Sequence, residues 1–136
     1  MRFITSVAGI SEQGIIADAA ASLPPASWMR GAPRDRWLAD PAALDAAFQA
    51  LILWTFDNSG ACSLPNSAAS YRQYAPFPAG GTRLAARVTR SAEHACAADI
   101  DFTDGKGKLI ARMTGYESTV DPALNSAFAR KEISAA

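Results

Sequence analysis

The sequence predicts an α+β domain in which an antiparallel β-sheet wraps around one long central helix. Three observations carry that expectation. Asp40 to Gly60, DPAALDAAFQALILWTFDNSG, has helix start and stop signals and is apolar almost all round. Downstream, three stretches alternate apolar and polar residues with period two, the mark of antiparallel strands with one covered face. Upstream, two further extended segments precede the helix. At 136 residues the chain fits a single domain with one core.

In order, Arg2 to Ile10 reads as a strand, with Phe3, Thr5 and Val7 against Ile4, Ser6 and Ala8 and no helical period. Ser11-Glu12-Gln13-Gly14 is a turn, and Ile15 to Ala21 runs back as a second strand, although its alanine-rich part suits a helix equally well. Ser22 to Ala39 is an irregular link containing Pro24, Pro25 and Pro33. Its Trp28 and Trp37 suit a cover over core edges; the same residue type also suits a ligand entrance.

Asp40 is a good N-cap, and Pro41 fits the first helical position, where its missing N–H costs nothing. Asp57, Asn58 and Gly60 supply the stop. Leu44, Phe48, Leu51 and Thr55 form one stripe, while Ala47, Leu53, Trp54 and Phe56 fill others. Such a helix is expected to be buried on all sides, with Trp54 and Phe56 in the core. Its roughly sixteen residues, Pro41 to Phe56, are too few to cross a bilayer. Asp45 and Gln49 interrupt the apolar surface at i and i+4, hence on the same face. A carboxylate on the wall of a buried helix is costly unless paired, protonated or used. It is either a structural aspartate bonded to a loop or cap, or an acid.

Past Gly60 the chain is expected to be loop through Ser63-Leu64-Pro65-Asn66, then extended from Tyr71 to Ala75 and ended by Pro76 and Pro78. Three strands follow. Thr82 to Arg90 turns Leu84, Ala86 and Val88 one way and Arg83, Arg87 and Thr89 the other. Ala95 to Thr103 alternates Cys96, Ala98, Ile100 and Phe102 with Asp99 and Asp101, and Lys108 to Tyr116 alternates Leu109, Ala111 and Met113 with Lys108, Arg112 and Thr114. Asp104-Gly105-Lys106-Gly107 joins the last two with strong hairpin chemistry. Asp121 to Phe128 begins a short capped helix, whose likeness to the start at Asp40 is shared helix-start chemistry rather than a repeat.

Thirteen basic and thirteen acidic residues leave a formal net charge of zero, which points away from nucleic acid and acidic membranes as partners. Cys62 and Cys96 have no metal-ligand spacing and His94 is the only imidazole, so no zinc site is expected. Both cysteines read as reduced thiols. The N-terminal MRFITSVAGISEQG is neither signal peptide nor anchor, and the expected location is cytoplasmic. His94, beside Glu93, reads as a surface histidine. Arg83, Arg87 and Arg90 read as a solvated strand face that could also meet an acidic carrier protein.

The run from Asp40 to Gln49, with Leu44-Asp45 and Gln49 in register, resembles the "HP-x-x-LD-x-x-x-Q" motif of polyketide synthase dehydratase domains. Ser63-Leu64-Pro65 is similar to that family's "LP" segment after the helix. Leu84 to Ser91, the Asp99 to Gly107 hairpin and Leu109 to Glu117 are similar to its closing strands, and Phe3 matches the end of a "YGP-x-F" element. The resemblance implies a hotdog fold over residues 1–136 and corresponds to the C-terminal half of a double hotdog. The first half of such a dehydratase carries a catalytic His in an "H-x-x-x-G-x-x-x-x-P" motif, which has no counterpart here, and Asp40-Pro41 replaces the usual His-Pro.

What the resemblance implies for activity is elimination of water from a β-hydroxyacyl chain on acyl carrier protein, giving an α,β-unsaturated thioester. Asp45 would be the general acid and Gln49 would orient it. Such an acid must hold its proton near neutral pH, above the ordinary carboxyl value of about 4. Burial pushes that way, and the nearby helix N-terminus pulls the other. The partners implied are the N-terminal hotdog half and a carrier protein with a phosphopantetheine-bound substrate. The isolated chain is expected to be inactive. Two other readings stand beside this one: a non-catalytic hotdog that shelters an acyl chain, and a stand-alone homodimeric hotdog thioesterase.

Overall fold

The computed structural model describes residues 3–127. Helix α1 spans Pro41–Ser59. It starts where the Asp40 carboxylate accepts the backbone N–H groups of Ala42 and Ala43, at 2.9 and 3.1 Å. Two donors that open a helix have no partner of their own within it, and the cap supplies one. The same carboxylate accepts the Ser22 N–H and hydroxyl, so the cap also ties the irregular link to the helix. Gly60, at φ 73°, closes the other end by donating to the Phe56 carbonyl at 2.8 Å. An Asp40→Ala chain is expected to lose about 1–2 kcal/mol of stability in urea unfolding. An unchanged urea midpoint would mean that water caps the helix as well as Asp40 does.

Among the described residues seven strands form one antiparallel sheet. They are β1 (Ile4–Ser11), β2 (Gly14–Ala19), β3 (Cys62–Ser67), β4 (Ser70–Gln73), β5 (Thr82–Ser91), β6 (Ala95–Thr103) and β7 (Leu109–Asp121). The order is β1-β2-β5-β6-β7-β3, with β4 also paired to β7. Ile15 and Ala17 from β2, Leu84 and Ala86 from β5, and Ile100 and Phe102 from β6 face the helix as a buried layer. The period-two expectation therefore holds on these strands, and the alanine-rich segment before the link is strand rather than helix. Gly14 sits so close to the Ala86 carbonyl that an added Cβ would lie 1.9 Å from its oxygen, so only glycine fits this crossing.

The helix departs from expectation in one respect. Its buried stripe is narrow, made of Ala43, Ala46, Ala47, Ala50, Leu51 and Trp54. Alanines let the sheet approach the helix backbone closely. Trp54 is 2% exposed, but Phe56 is 52% exposed and Leu53 45%, so neither belongs to the core. Phe56 lies two residues, about 200°, around the helix from Trp54. The helix is wrapped on one side and open on the other.

Three boundaries also move. Cys62–Ser67, expected to be loop, is an edge strand paired with the end of β7. Pro65 is tolerated there because an edge needs no second ladder. Strand β7 continues five residues beyond Tyr116, and α1 continues to Ser59. At the C-terminus residues 124–127 are helical, and Asp121 accepts the Ala123 N–H at 2.9 Å. Phe128 and Arg2, the expected limits of two elements, lie outside the described residues. Both cysteines are buried. Among the described residues no helix is long and apolar enough to cross a membrane.

Candidate functional site

Asp45 and Gln49 lie one turn apart on the open side of α1, both half-buried. The Gln49 amide Nε2–H donates to Asp45 Oδ2 at 3.0 Å. Its Oε1 accepts the backbone N–H of Phe3, just before β1, at 3.2 Å. The second contact fixes the first: only the amide oxygen can accept from an N–H, so the NH2 group must face the carboxylate. The latch therefore presents Asp45 in one orientation. Among the described residues Asp45 has no other hydrogen-bond partner, which leaves one carboxyl oxygen available to a ligand.

Two sets of aromatic contacts involve residues next to this pair, Phe3 through its N–H bond to Gln49 and Phe48 as the chain neighbour of Gln49. Phe3 stacks on Trp28 at 6.3 Å between ring centroids, and Trp28 meets Trp37 edge-on at 5.4 Å. Trp37 is anchored in turn by its indole N–H, which donates to the Leu23 carbonyl at 2.7 Å. Next along the helix, Phe48 stacks on Tyr116 of β7 at 5.6 Å.

The Tyr116 phenol is a feature that the sequence reading missed: counted on from Ala111 and Met113 it falls on the outward face, and a bulge at Gly115 turns it inward. Its oxygen is buried without a hydrogen-bond partner. Burial pushes its pKa to about 12, outweighing the neighbouring Ser118 hydroxyl, which favours ionisation without completing a hydrogen bond. The folded value lies above the ordinary value near 10, so the unfolded chain releases this proton first. Its contribution to stability is full below about pH 10 and is lost as pH rises towards 12. Tyr116→Phe is expected to remove that alkaline loss and to be close to neutral at pH 7, because it deletes an unpaired buried hydroxyl. Urea midpoints at pH 7 and pH 11 check both halves; a large loss at pH 7 would show that the hydroxyl is satisfied after all.

The remaining candidates sit elsewhere. His94 lies exposed in the turn before β6, 3.7 Å from Glu93. The strand arginines are matched by carboxylates: Arg83 with Asp18 at 2.9 Å, Arg87 with Asp99 at 3.2 Å, and Arg90 with Glu117 at 3.8 Å. Arg112 and Asp101 complete this outer ladder at 2.6 Å. Asp18–Arg83, Arg87–Asp99 and Asp101–Arg112 are direct cross-strand partners, where opposite charges are favoured. A groove of about 870 Å³ runs over this ladder between Ile10, Ile16, Arg87 and Arg112, without Asp45 in its walls. No cluster among the described residues could hold a metal ion.

A sheet wrapped around one helix, with a carboxyl–amide pair on the helix's open side, defines a protein of the hotdog class. A family model described as polyketide synthase dehydratase N-terminal domain matches residues 3–126. The chain belongs to that family. Among solved structures it is similar to the bifunctional dehydratase-cyclase domain of ambruticin biosynthesis, at 25% identity and a TM-score of 0.64 over 88% of this chain and 40% of that one. It is similar to an inactive mutant of the CurJ dehydratase in complex with a compound, at 18% identity and a TM-score of 0.65 over 89% of this chain and 41% of the other. A thioesterase from Haemophilus influenzae shares the fold at 12% identity and a TM-score of 0.63, over 85% of this chain and 77% of its own. The chain thus spans about two fifths of either dehydratase. No curated protein matches it in sequence.

Proposed function

We propose that this chain is the C-terminal hotdog of a polyketide synthase dehydratase, which eliminates water from a β-hydroxyacyl chain held on acyl carrier protein. The observation that carries this reading is the Asp45–Gln49 latch. The family description names the N-terminal domain, but the residues of this chain match the second hotdog: it has the Leu-Asp-x-x-x-Gln run and lacks the His motif of the first. Asp45 acts as the general acid, passing its proton to the departing β-hydroxyl. A base on the missing half removes the α-proton, which the thioester already acidifies, so no cofactor enters. The products are water and an α,β-unsaturated acyl thioester.

The open stripe of α1 supports the same reading. Leu53 and Phe56 continue from Asp45 and Gln49 along one exposed side, an apolar strip that suits burial against a partner hotdog. The isolated chain is therefore expected to dimerise or aggregate. A cytoplasmic enzyme acting on carrier-bound thioesters fits the balanced charge.

A second reading, a homodimeric hotdog thioesterase, is favoured by the thioesterase of similar size that shares the fold. One comparison separates the two. The chain alone, and the chain joined to an upstream hotdog carrying the His motif, are each given a β-hydroxyacyl pantetheine thioester. The dehydratase reading requires the 2-enoyl thioester from the joined protein only; release of free thiol by the chain alone would replace it with the thioesterase.

A further inference from the structure

We propose that the link between β2 and α1 carries the docking surface for an acidic protein partner, which under the reading above is the carrier of the acyl substrate. The charges of the chain are distributed unevenly. Three arginines of the sheet, Arg83, Arg87 and Arg112, each face a carboxylate across the ladder, whereas Arg72 of β4 lies opposite Arg112. Arg30, Arg34 and Arg36 of the link are exposed, and among the described residues none is in an ion pair. Asp35 is the only acidic residue between Ser22 and Ala39, so this short segment is cationic in a chain of zero formal net charge.

Apolar side chains share the surface with these arginines. Leu23 and Leu38 are 62% and 68% exposed, and Met29 is exposed beside them. A shallow pocket of about 440 Å³ opens among Ser27, Trp28, Met29 and Arg30. Apolar anchors within a rim of unpaired like charge suit a protein surface of opposite sign.

The link is also held firmly in place against the candidate site. Asp40 grips Ser22, Trp37 donates to Leu23, and Gln73 of β4 donates to the Leu38 carbonyl at 2.6 Å. From its surface a continuous path of contacts runs inward through Trp28 and Phe3 to Gln49 and Asp45. A partner seated on the link would hold a tethered substrate beside the carboxyl. An anionic membrane would also satisfy the charge. A hydrogen-bonded link whose one helical piece is the single turn Pro25–Ser27 has no long amphipathic helix to lie in a membrane surface, which favours a soluble protein.

The test is a binding titration of the 136-residue chain with a purified apo acyl carrier protein of net negative charge. Saturable binding that weakens with added salt is expected, and Arg30→Ser/Arg34→Ser/Arg36→Ser together should weaken it by about tenfold or more. Arg87→Gln, on the paired ladder, should leave it unchanged. In the joined double hotdog, the triple variant should lower kcat/KM for the carrier-bound substrate and spare the pantetheine thioester. Four results would each overturn the proposal: absence of binding, an unweakened triple variant, an equal loss in Arg87→Gln, or binding instead to phosphatidylserine vesicles. Arginine-dependent carrier binding without elimination from either substrate would uphold the docking surface and sink the dehydratase reading.

Discussion

Replacing Asp45 with Asn in the chain joined to an upstream hotdog carrying the His motif is expected to slow elimination by about 10²–10⁴-fold, with the fold intact. The substitution is unusually clean here. Gln49 donates to Asp45 through Nε2, and an asparagine side-chain oxygen accepts that bond as well as a carboxylate does. Shape, latch and the Phe3 contact therefore survive, and only the transferable proton disappears. Gln49→Leu should slow the reaction less, since Gln49 aligns the acid without exchanging protons. Rates on a β-hydroxyacyl pantetheine thioester, alongside circular dichroism and urea midpoints, provide the check. If Asp45 were a structural carboxylate, activity would fall only in step with stability. A well-folded Asp45→Asn enzyme of full activity would end the catalytic assignment.

How far these features could be read in the sequence depended on how local their causes were. The Asp40 cap, Pro41 and Gly60 are signals confined to a few residues, and α1 begins and stops where they say. Strands β5 and β6 hold a steady period of two, and their inward residues were legible one by one. Strand β7 was cut short because its period breaks. Ala111 and Met113 face inward, then Tyr116, Ser118 and Val120 do, a change of parity across Gly115 at φ 66°. The extra residue forms a bulge, and Asp99 of β6 accepts the Gly115 N–H at 2.9 Å. Nothing within five residues of Gly115 announces that partner. β3 was hidden by its proline, which reads as loop until its place at a sheet edge is known.

The candidate site divides in the same way. Asp45 and Gln49 were legible because i and i+4 on a helix are neighbours whatever the tertiary structure does. The N–H of Phe3, which sets the Gln49 amide, lies 46 positions away in sequence and is a backbone group, without any side-chain signature. The burial of the helix was over-read for a related reason. An all-round apolar helix meant a fully wrapped one in the sequence, whereas the sheet covers only its alanine stripe. Apolar residues are left over on the other side, Leu53 and Phe56 among them.

The largest structural loss is expected from Trp54→Ala. Trp54 is 2% exposed, and it belongs to the same buried cluster as Leu51 and Ala50 of its own helix. It also spans two layers, because its indole N–H donates to the Ser11 carbonyl at the end of β1, at 2.7 Å. Beyond its ladder with β2, strand β1 buries little: apart from Ile4 its residues are exposed, and the ladder's register slips twice. It is fastened to α1 near each end, by the Phe3 N–H to Gln49 and by the Ser11 carbonyl to Trp54. Deleting the indole leaves a cavity in the core and releases one of those fastenings, for an expected cost of about 3–5 kcal/mol. Trp54→Phe keeps most of the volume and loses the donor. Its cost should be smaller, about 1–2 kcal/mol, since the freed Ser11 carbonyl sits at an exposed turn where water can reach it. Urea unfolding of the two variants separates volume from hydrogen bond. A loss below about 1 kcal/mol for Trp54→Ala would mean that the core collapses around the missing ring, and that β1 is held by its ladder to β2 alone.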